Sequence, residues 1–266
     1  MTATLSAGAG VHDYLARQVE ALHRLRKPAR RAEADAVHQM RVATRRLRSL
    51  LSAYGDLYAE IPVSRQRLRW LAGVLGEVRD LEVLRMRFAE HLGQDRPQWF
   101  DELAEAERRA YGRLGKAFDR KRYAALIDAA ERMAGRPHFS AAAVRPAADV
   151  LSPIVRAARL DLADAFGAIA TADDPDAARH RARKTAKRTR YTAEAAAKAL
   201  GDEAAAPAAE AKRLQTVCGR YQDCVVAIAY IESHTKVGDA RREEVLEAER
   251  RSREAQLDAV ERALAV

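Results

Sequence analysis

Two stretches of this sequence repeat one another 142 positions apart, and they limit the fold more than any other feature. The first is VHQMRVATRRLRS at 37–49, and the second is RHRARKTAKRTRY at 179–191. His38, Arg41, Arg45, Arg46 and Arg48 of the first stand where the second has His180, Arg183, Lys187, Arg188 and Arg190. A second pair follows at an offset of 143: LGEVRD at 75–80 and CGRYQD at 218–223, which match Gly76 with Gly219 and Asp80 with Asp223. Order and spacing agree, so the chain is expected to hold two like halves. The least helical stretch, AGRPHFSAAAVRP at 134–146, lies between them. The expected organisation is one domain over 1–266, with halves at 1–135 and 136–266.

Nearly every segment reads as helix, because Ala, Leu, Arg and Glu dominate and β-branched runs are scarce. The periodicity predicts helices at about 9–27, 32–59, 62–92, 98–133, 146–170, 175–200, 207–235 and 238–264, four in each half. Asp174 before Pro175 is a start signal, and Pro62 and Pro207 fall near expected starts. The sequence RRAEADAV places Glu33 and Asp35 in the expected first turn of the second helix, where acids suit the helix dipole.

On a helix at about 100° per residue with His38 at zero, Arg41, Arg45 and Arg48 fall within an arc of about 80° beside it. Met40, Leu47, Leu50, Leu51 and Tyr54 form the opposite, apolar face, and Arg46 flanks the basic one. His180, Arg183, Lys187 and Arg190 take the same four angles. Their apolar side is made of Ala182, Thr185, Thr189, Ala193, Ala196 and Leu200, small residues that predict close helix approach. A solvated helix face ordinarily mixes signs, since like charges at i,i+4 cost roughly 0.2–0.5 kcal/mol per pair. Residues 38–48 and 177–190 hold no acid, whereas DELAEAERRAYGR elsewhere mixes freely. Placement, rather than arginine content alone, therefore points to a polyanion-facing surface.

The net charge of +9 and pI near 9.8 agree with an anionic partner. The cations are 39 Arg against 8 Lys, and guanidinium suits bidentate phosphate contacts. His38 and His180 each add a donor, and a charge when a bound polyanion raises the imidazole pKa. His12, His23, His91, His138 and His234 share no repeated context and read as ordinary structural histidines. Asp80 and Asp223 admit two readings: carboxylates that hold a stripe arginine or histidine in place, or plain surface acids. Gly76 and Gly219 would allow close packing beside them. No metal-ligand spacing surrounds either histidine, and no cofactor is expected. Cys218 and Cys224 are placed so that one helix cannot bridge them, which suits a reducing cytoplasm. The start MTATLSAGAGVHDYLAR lacks the basic and apolar runs of a signal peptide, and the run CVVAIAYI is too short to span a bilayer. A cytoplasmic protein with no membrane partner is expected.

These paired motifs resemble the CHAD domain, the conserved histidine α-helical domain. VHQMRVATRRLRSLL is similar to its first signature, and RHRARKTAKRTRYTAEA, including Tyr191, to its second, with Ala182 and Thr189 where leucine is usual. The resemblance covers essentially the whole chain. It implies an all-α fold of two pseudo-symmetric antiparallel four-helix bundles forming one domain with a central basic surface or pore. It implies binding of inorganic polyphosphate, with association with polyphosphate granules in several members, and the chain is expected to be a non-catalytic binder. Carried over by position, the ligands would be His38, Arg41, Arg45, Arg46, Arg48, His180, Arg183, Lys187, Arg188 and Arg190. Arg65, Arg69, Lys212 and Arg213 are candidates to join them from the third helix of each half. The strand-borne ExExK signature of the hydrolase domain that often accompanies CHAD domains is not found. A helical nucleic-acid-binding protein is the alternative. It is less favoured, because aromatics are only 6% and none interleaves with the first stripe. A phosphohydrolase ranks lower still, lacking a carboxylate cluster for metal ions.

Overall fold

A computed structural model describes residues 5–264 of the chain. Nine α-helices, and no strand, occur among the described residues. They are α1 (Ala7–Arg30), α2 (Ala36–Ala53), α3 (Arg65–Leu92), α4 (Gln98–Phe118), α5 (Lys121–Gly135), α6 (Ala147–Gly167), α7 (Pro175–Leu200), α8 (Asp202–His234) and α9 (Ala240–Leu264). The all-α class expected from composition holds.

Several helix ends follow local signals. Asp174 accepts the Ala177 amide at 2.9 Å, and Pro175 takes the first helical position of α7. Ser64, two residues after Pro62, caps α3 by accepting from the Arg67 amide at 3.3 Å. Gly201, with φ of +56°, ends α7, and α8 starts at the next residue.

Other ends depart from the expectations. Pro207 lies inside α8 rather than at its start, because the Gly201 turn fixes that start five residues earlier. The second helix spans only Ala36–Ala53, and Glu33 and Asp35 precede it. Asp35 sits in the left-handed region at φ 62° and makes no side-chain cap. The single helix expected over 98–133 is two, α4 and α5. No Gly or Pro marks that break. Tertiary contacts hold it: Arg26 donates to the Phe118 carbonyl at 3.1 Å, Arg30 donates to both Asp119 oxygens, and Phe118 meets Tyr123 edge-on.

The described chain divides into two compact units. One comprises residues up to Arg79 with Arg109–Leu160 and Arg188–Ala209; the other comprises Asp80–Arg108, Asp161–Lys187 and residues from Glu210 on. Each unit draws on both sequence halves, and the divisions fall inside α3, α4, α6, α7 and α8. In the first unit α1 packs on α2 and α5. Its core holds Leu15, Leu22, Met40, Leu47, Leu50 and Phe118, all nearly inaccessible, and burying each contributes about 1.5–3 kcal/mol. The small side of α7 does permit close approach there: Thr189 donates to the Ala158 carbonyl at 2.8 Å, and Tyr54 donates to the Thr192 carbonyl at 2.9 Å. The second unit has two apolar clusters. One gathers Phe88, Trp99, Phe100, Ile231 and Val245; the other gathers Leu162, Phe166, Leu214 and Val260 around Ala178, Ala182 and Ala186 of α7. Cys218 and Cys224 are free thiols, both buried.

Candidate functional site

In the first unit the basic face of α2 lies along α3, antiparallel and in register. Arg41 lies over Gly76: a Cβ built there would stand 3.6 Å from the Arg41 Nε and Nη2. The glycine thus leaves room for a guanidinium rather than for a helix backbone. One end of this face brings His38 near Arg79, and the other brings Arg48 near Arg69. Arg65 closes the row by donating to the Leu51 carbonyl at 3.2 Å, which satisfies the C-terminal end of α2.

Crowded cations leave an electrostatic signature. His38 is half-buried, and its pKa is held below the ordinary imidazole value of 6.5. Burial is the largest cause, followed by Arg79; Arg45 and Arg41 act the same way, and only Asp35 opposes them. The Arg48 guanidinium is also lowered, by burial and by the neighbouring Arg69. The Arg45 Nε is buried with no hydrogen-bond partner. Burial and, after it, neighbouring like charge both disfavour the charged forms of His38 and Arg48.

The second unit repeats the register between α7 and α8. Arg183 lies over Gly219, its Nε 3.9 Å from where a Cβ would stand. It reaches Asp223 with Nη2 4.0 Å from Oδ1, so Asp223 does stand beside a stripe arginine. Asp80, its match on α3, is exposed. His180 Nδ1 donates to Gln222 Oε1 at 2.8 Å. Gln222 thus occupies the position matched to Arg79, and the two faces differ at their histidines. Lys187 is half-buried on α7, and Arg188 is exposed. Lys212 is exposed on the same side of α8 as Gly219. Arg213, about 100° further round, donates instead to the Ala263 carbonyl of α9 at 3.3 Å.

Arg46 and Arg190 depart from the stripe. Arg46 Nη2 lies 3.1 Å from Glu194 Oε2, and Arg190 Nε donates to Glu194 Oε1 at 2.6 Å. The Tyr14 hydroxyl donates to the same carboxylate at 3.0 Å. The Arg46 guanidinium also stands over the Tyr14 and Tyr191 rings. Glu194 is one helical turn beyond Arg190, just past the acid-free window, so helix periodicity alone could have flagged it. Arg79 and Gln222 were equally open to sequence reasoning, since the 143-residue offset sets one against the other.

The remaining histidines have local partners. His12 donates to the Ala134 carbonyl, His23 pairs with Glu131, His138 with Glu60 and His91 with Glu249, and His234 stacks on Tyr230. Among the described residues no group of three or more His, Cys, Asp or Glu is placed to hold a metal ion, and no helix is long and apolar enough to cross a membrane.

Two uncharacterised proteins of Mycobacterium tuberculosis, from strains CDC 1551 and H37Rv, are 34% identical to the chain over 234 residues. The match takes in 82% of this chain but 44% of each relative, so the chain spans less than half the length of these curated relatives. Among solved structures, PptA from Streptomyces chartreusis is similar with a TM-score of 0.76 at 20% identity, covering 98% of this chain and all of that one. The crystal structure of the CHAD domain from the plant Ricinus communis is similar with a TM-score of 0.67 at 22% identity, covering all of this chain and 94% of that one. At such identities both likenesses concern the fold. The family model for the CHAD domain matches residues 13–232, and the chain belongs to the CHAD domain family.

Proposed function

We propose that the chain binds inorganic polyphosphate without altering it, through the α2–α3 face of the first unit and the α7–α8 face of the second. The carrying observation is the gathering of His38, Arg41, Arg45 and Arg48 against Arg69 and Arg79, where burial first and neighbouring like charge second depress the ionisation of His38 and Arg48. A polyanion laid along such a face supplies opposite charge to all of its cations at once. Polyphosphate carries about one charge per phosphate and presents no bases, so an acid-free row of guanidinium groups suffices to hold it. Membership of the CHAD family supports the same reading.

His38, Arg41, Arg45, Arg48 and Arg69 are the ligands of the first face, joined by Arg79. His180, Arg183, Lys187 and Lys212 are those of the second. Arg65, Arg190 and Arg213 serve chiefly to fix helix ends and neighbours. Asp223 positions Arg183. Binding to the polymer would place the protein on polyphosphate granules in the cytoplasm. The test is an equilibrium titration with long-chain polyphosphate, comparing the wild type with Arg41→Gln and Arg183→Gln at equal thermal stability. Each variant is expected to bind about tenfold more weakly, since a charge-assisted contact contributes about 1.5–3 kcal/mol. Wild-type affinity in both variants, or shortening of the polymer during incubation, would contradict the proposal.

A further inference from the structure

Arg46, at the flank of the α2 basic face, lines a cleft of about 690 Å³ in the first unit. Tyr14, Arg17, Glu20 and Arg24 of α1 line this cleft with Arg46 and Glu194. Arg17 and Arg24 are exposed and stand two turns apart on one side of α1, about 10 Å along its axis. The Arg17 guanidinium lies over the Tyr14 ring at 5.8 Å, and Arg46 lies over the same ring at 6.0 Å. The Arg46 Nε is buried with no hydrogen-bond partner, and its terminal nitrogen is held by Glu194. The cleft therefore offers three guanidinium groups against two carboxylates, the exposed Glu20 and Glu194, and Glu194 is shared with Arg190 and Tyr14.

Resting on the polyphosphate reading, we propose that this α1 cleft is a second polyanion-binding surface, in which Glu194 sets the charge density an anion needs to enter. An incoming phosphate must compete with a carboxylate already seated on Arg46 and Arg190. A polymer with a charge on every phosphate can outweigh that carboxylate. A duplex backbone, whose phosphates are held further apart by sugars and bases, competes less well. Glu194 thus discriminates between polyphosphate and nucleic acid without reading any base. The motif residues of α2, α3, α7 and α8 include nothing from α1, so Arg17 and Arg24 extend the cleft beyond the repeated pattern that supplies Arg46.

The test uses the full chain and two variants, Arg17→Ala/Arg24→Ala and Glu194→Gln, with long-chain polyphosphate and double-stranded DNA as probes. The exposed double variant is expected to lose at least threefold in polyphosphate affinity. Its slope of log affinity against log salt should fall by about one to two, as lost phosphate contacts require. Glu194→Gln is expected to narrow the ratio of polyphosphate to DNA affinity at least threefold. A double variant with unchanged affinity and salt slope would overturn the cleft. A Glu194→Gln protein of unchanged ratio would overturn the role of the carboxylate, with its melting temperature showing that it is folded. If the wild type itself failed to bind polyphosphate, the broader reading would fall instead, so the two failures are distinguishable.

Discussion

His38 and His180 occupy matched positions in unmatched surroundings. Arg79, Arg45 and Arg41 face His38 with only Asp35 in opposition, whereas His180 donates to the neutral Gln222. With its folded pKa held below 6.5, His38 binds its proton less readily than in the unfolded chain. The stability it contributes as a neutral ring is full above about pH 6.5 and is lost as pH falls below that value. A bound polyanion reverses the sign by compensating the charge, so binding takes up a proton. Polyphosphate affinity is therefore expected to rise between pH 8 and 6, and His38→Ala should remove most of the rise. Titration calorimetry in two buffers of different ionisation enthalpy measures the uptake directly. A flat wild-type profile would take His38 off the ligand list. The sequence placed His38, Arg41, Arg45 and Arg48 on one face correctly, because helix geometry alone decides that. It set Arg46 at the flank of that face and, through the resemblance, among the ligands, but not its neighbours, since which one a flanking side chain meets depends on packing, and here α1 and α7 supply Tyr14 and Glu194.

At the scale of helices, glycines separate two kinds of approach. A Cβ at Gly10 of α1 would meet the Ala199 Cβ of α7 at 2.7 Å and a Leu151 methyl at 3.2 Å. Gly10→Ala is therefore expected to destabilise the protein by about 1–3 kcal/mol in urea unfolding, through overpacking. Gly76 differs, because its neighbour is the mobile end of Arg41 at ordinary contact distance. Gly76→Ala should stabilise α3 by about 0.5–1 kcal/mol, as alanine does in a helix interior. Gly76→Leu should keep the fold but displace the Arg41 guanidinium and weaken polyphosphate binding several-fold; full affinity in that variant would show that the Arg41 position does not matter. Most helices were legible from periodicity and capping residues. The α4–α5 break was not, because Arg26 and Arg30 of α1 hold it from a distance in sequence.

The whole molecule carries a net charge of +9, and that excess is not spread evenly. Some buried charge is neutralised internally. In the second unit Glu249 is fully buried and accepts from Arg87 Nε at 2.6 Å and from His91 Nε2 at 3.2 Å. Glu249→Ala would take from the half-buried Arg87 the carboxylate that it donates to, with an expected loss of about 3 kcal/mol in unfolding free energy. The duplication in the sequence was sufficient to locate both basic faces. It did not show that each compact unit draws helices from both halves, because repeats report common ancestry of segments while compact units report which side chains pack together. The charge crowded on those faces implies selection of anions by charge density. Competition among long-chain polyphosphate, double-stranded DNA and single-stranded RNA, at about 150 mM salt and equal phosphate concentration, tests that most directly because exposed charge is already well screened there. Polyphosphate is expected to displace both nucleic acids; displacement of polyphosphate by DNA or RNA would contradict polyphosphate as the ligand.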